Sequence, residues 1–292
     1  MLWLDGEQVS GDRAEFDLRD RGLLLGDGAF DTSLAINGQI VFGARHAARL
    51  AHTCAVLGLP VAETDIAAQL DMAAVAVGTG TVRLTVTRGV SERGLMPPEQ
   101  AQPRLILSAT PAGPSKAWQP VRVVTANARR NETSVTAQHK CLGYLDAILE
   151  LSAAAGRGAD EVLFLNTAGR VSCFGTGNVF AIHGTTLTTP PVEDGVLNGV
   201  TRDMLLALAP ESNLTVAVAS LSPEELHGAD AVFMTNSLRL MAPVTHLDDT
   251  ALSTTGTDVL RALRQGLATH IQNHHGASAW TEERFATWPV PR

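Results

Sequence analysis

The sequence predicts an α+β protein made of two α/β domains. Short runs of alternating apolar residues are separated by glycine-bearing turns, as strands are, and other segments place apolar residues at helical spacing. Between two such patterned regions lies Pro111-Ala112-Gly113-Pro114-Ser115, dense in turn formers. The expected division is therefore a smaller N-terminal domain over residues 1–112, a linker over 113–119 and a larger C-terminal domain over 120–292.

In the first part, Trp3-Leu4-Asp5-Gly6-Glu7 reads as a hairpin turning at Asp5-Gly6. Asn37-Gly38 reads as a second turn between Leu34-Ala35-Ile36 and Ile40-Val41-Phe42. Gly26-Asp27-Gly28 permits a tight backbone, after which Phe30 and Asp31 alternate across a strand. From His46 to Leu57, the residues Ala47, Leu50, Cys54 and Leu57 share one helical face, Arg49 sits at its border, and Gly58 supplies a stop. Thr81 to Arg88 and Arg104 to Ala109 read as strands. The Gly- and Pro-rich loop between them, with Arg93, is where substrate contacts concentrate.

Lys140 heads an apolar stretch in which Leu142, Leu145, Ile148, Leu149 and Ser152 recur at helical spacing, opposite Asp146 and Glu150. A lysine at a helix start is ordinarily solvated with a buried stem. One that points into the fold loses its proton more readily and becomes a nucleophile able to form an imine. Further strands are expected at Val121–Thr125, Val162–Leu165, Val179–Ile182, Leu214–Val218 and Ala231–Met234, and helices at Arg202–Leu208 and Asp258–Ile271. Pro223–Leu226 forms a short helical turn after Ser222 as N-cap. The tail from His274 to Arg292, with Trp280 and Trp288, is expected to be irregular but docked, and His274-His275 solvated.

At 292 residues, 45% hydrophobic and 18% charged, the chain can bury a sizeable core, and no apolar run reaches the length a membrane helix needs. A formal charge of -8 argues against nucleic acid or an anionic membrane as partner. Cys54, Cys141 and Cys173 fit neither a disulfide framework nor a zinc pattern, and no metal is expected. The start lacks a basic segment followed by an apolar core, so a cytoplasmic location is expected.

Around Lys140 runs an ordered series: Leu24-Leu25-Gly26-Asp27-Gly28-Ala29-Phe30 upstream, then Glu161-Val162-Leu163-Phe164-Leu165-Asn166, Gly169-Arg170-Val171-Ser172, Gly177-Asn178-Val179-Phe180, Leu187-Thr188-Thr189-Pro190 and Gly195-Val196-Leu197-Asn198-Gly199-Val200-Thr201-Arg202. From about residue 2 to about residue 250, the chain resembles the class IV aminotransferases, the fold-type IV enzymes that use pyridoxal 5'-phosphate (PLP). The resemblance implies a cofactor site between the two domains, a small-molecule amino substrate and a homodimer. It makes Lys140 the Schiff-base lysine and proton carrier. Arg49, in His46-Ala47-Ala48-Arg49-Leu50, would grip the cofactor phosphate, bidentate pairing being the reason for Arg over Lys. Val200 and Thr201, where a glycine-containing turn enters a helix, would add backbone N–H groups and a hydroxyl, with Ser237 as a further donor and Leu197 beneath the ring. Arg93, Phe30 and Asn236 would line the substrate side.

The chain departs from the family at Cys173, where a glutamate ordinarily keeps the pyridine nitrogen protonated. A neutral thiol forms no such ion pair, and an apolar setting keeps a thiol neutral. The enzyme then uses a less electron-demanding route, another residue replaces the glutamate, or activity is low. Arg93-Gly94 and Thr235-Asn236-Ser237-Leu238-Arg239, followed by Pro243-Val244, look similar to aminodeoxychorismate lyases. The expected activity is pyruvate elimination giving 4-aminobenzoate. The close alternative is transamination of D-amino acids, branched-chain amino acids or amines, and a third reading is a PLP-binding relative with little activity.

Overall fold

The computed structural model describes residues 1–253 and 257–281. They fall into two compact units. The first comprises Met1–Gly113 together with His139–Gly143, and the second comprises Pro114–Gln138 and the chain from Tyr144 onward.

In the first unit, β1 (Leu2–Leu4), β2 (Glu7–Gln8), β3 (Gly28–Ile36), β4 (Gln39–Ile40), β5 (Gly80–Thr87) and β6 (Arg104–Pro111) form one sheet in the order β2-β1-β6-β5-β3-β4. Every pairing in it is antiparallel. Both expected hairpin turns are present, with Asp5 and Gly6 at φ 52° and 86° and Asn37 and Gly38 at φ 52° and 80°. Two successive positive φ values match the twist of the flanking strands, which fixes register. The short α1 (Arg21–Leu25) starts where Asp20 accepts the Gly22 N–H and stops at left-handed Gly26. Helices α2 (Gly43–Val56) and α3 (Glu63–Val77) cover the sheet, burying Leu50, Cys54, Ile66 and Leu70 against Val82, Leu84 and Leu107. Burying such side chains stabilises the unit by about 1.5–3 kcal/mol each.

The second unit holds β7 (Val121–Thr125), α4 (Val135–Gln138), α5 (Leu145–Gly156), β8 (Glu161–Leu165), β9 (Val171–Phe174), β10 (Asn178–His183) and β11 (Thr186–Thr189). It continues through α6 (Val200–Leu208), β12 (Thr215–Val218), α7 (Pro223–His227), β13 (Ala231–Asn236), β14 (Leu240–Leu247), β15 (Thr250–Ala251) and α8 (Thr257–His275). The strands run in the order β12-β11-β10-β13-β14-β7-β8-β9, with β15 beside β14. Helix α7 has the Ser222 cap, completed into a capping box by Glu225.

Three expectations change. Lys140 is not at the head of a helix: α5 begins at Leu145, and residues 139–143 are non-helical. The apolar stripe of α5 faces outward, with Leu145, Ile148 and Leu149 at 65%, 59% and 60% exposure, while Ala147 and Ala154 are buried. Small side chains let the helix lie close on Val162 and Phe164 of β8, so the larger ones stay outside. His274 and His275 close α8 rather than lying in a tail, and the His274 ring stacks on His270 at 4.2 Å. Trp280 is buried, with its carbonyl accepting from Trp118 Nε1 at 2.9 Å. The expected docking of residues 282–292, including Trp288, lies outside the described residues. Among the described residues no helix is long and apolar enough to cross a membrane, and no three His, Cys, Asp or Glu side chains are placed to hold a metal.

Candidate active site

Lys140 is held by main-chain bonds to the start of β3. Phe30 N–H donates to the Lys140 carbonyl at 2.9 Å, and Leu142 N–H donates to the Gly28 carbonyl at 3.1 Å. A Cβ at Gly28 would lie 2.3 Å from the Val86 carbonyl and 2.9 Å from Leu142, so this approach needs glycine. The half-buried Lys140 side chain extends over Phe30, with Nζ 4.4 Å from the ring centroid, and the Arg83 guanidinium carbon lies 3.7 Å from the same centroid. Phe30 is thus a surface for cations within the first unit.

On the other side of the alternation, Asp31 is buried with 1% exposure. Its Oδ2 accepts from Arg49 Nε at 2.8 Å and its Oδ1 from Arg49 Nη2 at 2.9 Å, and His46 Nδ1 lies 2.7 Å from the same Oδ1. Asp31 occupies one fork of Arg49, Nε and Nη2, while Nη1 and the second Nη2 proton lie outside that pair. Burial opposes ionisation of Asp31, yet the charge and hydrogen bonds of Arg49 and His46 hold its carboxyl far below the usual range. Burial pushes His46 down, and Arg49 and Lys140 add to that effect, against the pull of Asp31.

Asp31→Asn is expected to cost about 3 kcal/mol at neutral pH, because it leaves the Arg49 charge unpaired in the interior. Both shifts are downward, so the native state sheds stability on acidification: from His46 as pH falls below 6.5, and from Asp31 only as it falls below 3.8. Urea midpoints measured against pH should show the wild-type advantage over Asp31→Asn intact at pH 7 and fading only below 3.8. An advantage lost near pH 6 would contradict this.

Arg93 is exposed and lines a hollow of about 620 Å³ with Arg21, Leu24, Leu25, Ser91 and Leu95. It lies on the loop expected from the sequence.

In the second unit, the turn between β9 and β10 organises the remaining candidates. Asn178 Nδ2 donates to the Leu197 carbonyl at 2.8 Å and so fixes the turn that enters α6. A Cβ at Gly199 would sit 2.0 Å from Asn178 Oδ1, so a side chain there would displace the Asn178 amide. Helix α6 begins with Gly199 as N-cap and no capping side chain, while Val200 and Thr201 are 4% and 2% exposed. A buried, uncapped helix start with a threonine hydroxyl suits a phosphate. Leu197 is half-buried. Asn236 ends β13 with both ends of its amide engaged: Nδ2 donates to the Thr176 carbonyl at 3.1 Å, and Oδ1 accepts from Leu238 N–H at 3.0 Å and Arg239 N–H at 2.6 Å. It shapes the turn that carries the half-buried Ser237.

Cys173 is 7% exposed among Val124, Ala126, Val162 and Phe164, and burial pushes its thiol up, against the pull of Arg130. The carboxylate that acts on it, Glu161, is itself buried and engaged, accepting from the Thr176 hydroxyl and from Val162 N–H at 3.0 Å. Burial also raises Glu161 above the usual carboxylate range, against those hydrogen bonds. It is a poor substitute for the missing glutamate.

Residues 28–247 match the amino-transferase class IV family. The chain belongs to the class IV aminotransferase family. Membership makes it a PLP-dependent enzyme, a lyase or an aminotransferase. A solved 4-amino-4-deoxychorismate lyase of Pseudomonas aeruginosa is 32% identical, superimposes with a TM-score of 0.84, and is covered in full by 95% of this chain, so the fold is that of the fold-type IV enzymes. A Methanocaldococcus jannaschii protein named provisionally as a branched-chain-amino-acid aminotransferase is 32% identical over 85% of this chain and 88% of its own length. A D-alanine aminotransferase of Listeria monocytogenes is 28% identical over 82% and 85%.

Against the needs of PLP, the residues present fit in most respects. Lys140 of the first unit would supply the amine; in the second unit, Val200 and Thr201 would supply buried donors for a phosphate and Leu197 an apolar surface. Cys173 stands where the resemblance leads one to expect a glutamate. Sequence reasoning missed Asn178 as the residue that shapes the Leu197–Gly199 turn, and Asp31 and His46 as the partners of Arg49. The adjacency of Gly177-Asn178 to a strand, and the buried polar pair implied by Asp31 in an apolar strand, were the signals available.

Proposed function

We propose that this enzyme is a lyase that releases pyruvate from 4-amino-4-deoxychorismate to give 4-aminobenzoate. The observation that carries the reading is the 32% identity to the Pseudomonas aeruginosa lyase across that protein's full length. Lys140 would carry PLP, Thr201, Val200, Ser237 and Arg49 would hold its phosphate and Leu197 its ring; when bound, the cofactor would supply an acceptor for electrons leaving the substrate's amine-bearing carbon. The Lys140 amine, released when the substrate's amine takes its place on the cofactor, takes the proton from that carbon. The C–O bond to the enolpyruvyl group then breaks, the enolate gains a proton and leaves as pyruvate, and the substrate ring becomes aromatic. Arg93 holds a substrate carboxylate, with Phe30 and Asn236 shaping the same side. Elimination of a good leaving group asks less of the electron acceptor than transamination does, which suits the neutral Cys173.

Purified protein loaded with PLP should form 4-aminobenzoate and pyruvate in equal amounts from 4-amino-4-deoxychorismate. Absence of both products would overturn the reading. The second reading, amino transfer, is supported by the D-alanine and branched-chain relatives; transfer from D-alanine or leucine to 2-oxoglutarate, without pyruvate release from 4-amino-4-deoxychorismate, would establish it instead. A homodimer is part of the proposal, and the exposed Leu145, Ile148 and Leu149 of α5 support it. Sedimentation at twice the chain mass is the expected result.

A further inference from the structure

Arg21, the first residue of α1, is 5% exposed and spends its guanidinium on one loop. Its Nη1 donates to the Gly94 carbonyl at 2.9 Å, to Ser91 Oγ at 3.2 Å and to the Met96 carbonyl at 3.3 Å, and its Nη2 donates to the Leu95 carbonyl at 2.9 Å. These acceptors flank Arg93 on both sides. The loop has little burial of its own to hold it, since Leu95 and Met96 are 82% and 84% exposed and Gly94 takes a φ of 138°. The remaining donor of Arg21, Nε, is anchored on Asp27 Oδ2 at 2.7 Å. That same carboxylate oxygen accepts from Arg88 Nε at 2.8 Å, and Arg88 reaches the Leu57 and Gly58 carbonyls just past the end of α2 at 2.7 and 3.1 Å. A carboxylate with a buried arginine on either side thus joins the loop to the end of the helix that carries Arg49.

We propose that Arg21 is a positioning residue: its buried guanidinium fixes the 91–96 loop and thereby sets Arg93 in the hollow where the substrate carboxylate binds. The substrate class is an anion with an apolar body, because the hollow sets Arg93 beside Leu24, Leu25 and Leu95. This rests on the assignment of Arg93 made above. A planar fork is needed because a lysine ammonium cannot reach Asp27, the Ser91 hydroxyl before Arg93 and the three carbonyls after it at once.

The test compares Arg21→Lys, Arg93→Ala and the double variant, each as the PLP-loaded full chain. Tryptic cleavage at the exposed Arg93–Gly94 bond should quicken at least about tenfold in Arg21→Lys, while cleavage elsewhere in the chain keeps its rate. KM for 4-amino-4-deoxychorismate should rise about tenfold with kcat within about twofold, and Arg21→Lys should add nothing once Arg93 is alanine. Unchanged cleavage at Arg93–Gly94 would overturn the proposal, as would KM effects that multiply in the double variant. If Arg93→Ala alone leaves KM unaltered, the assignment of Arg93 fails, and the cleavage measurement still decides whether Arg21 holds the loop.

Discussion

Lys140→Ala should lower kcat/KM by at least about 10³-fold, since it removes both the covalent attachment and the proton carrier. The variant should still fold. The segment is tied to β3 by main-chain bonds from Phe30 and Leu142, which need no lysine side chain. What the fold loses is the contact of Nζ with the Phe30 ring, worth about 0.5–1 kcal/mol at a partly exposed site. An unfolding midpoint close to wild type, together with lost turnover, is the expected pair of results. Retained turnover would mean that the chemistry lies elsewhere.

Cys173→Glu should move two quantities in opposite directions. Without cofactor, a carboxylate placed among Val124, Ala126, Val162 and Phe164 should cost about 1–3 kcal/mol, softened by the Arg130 charge that already acts on this position. With cofactor, the carboxylate should favour the charged pyridine nitrogen. A rise of about two units in that group's pKa corresponds to about 2.7 kcal/mol, which caps the gain at about a hundredfold. Amino transfer from D-alanine to 2-oxoglutarate should therefore rise by about tenfold to a hundredfold, and pyruvate release should change less. Equal changes in both activities would remove Cys173 as the feature that separates them. A parent with no activity and an active variant would support the reading of a PLP-binding relative with little activity.

Much of the fold was legible from local chemistry. Asp5-Gly6 and Asn37-Gly38 name their turns because few residues accept two positive φ values in succession, and Ser222 with Glu225 names the start of α7. What stayed hidden depends on partners distant in sequence. Pro243 argues against a central strand, since it has no N–H to donate, yet β14 lies between β13 and β7 and tolerates it beside a register shift at Val244 and His246. The outward stripe of α5 reads as a core face until Ala147 and Ala154 are seen against β8. The motif residues Lys140, Val200 and Thr201 could be picked out by pattern. The groups that hold such residues in place could not, because Asp31, Asn178 and Arg21 act through contacts that no spacing rule encodes.

The most direct test of the central claim is to add PLP to the pure protein, reduce with borohydride, and locate the added mass by peptide sequencing. The proposal predicts a stable pyridoxyl phosphate adduct on Lys140 that is absent without reductant and absent in Lys140→Ala. An adduct on another lysine, or none at all, would contradict it.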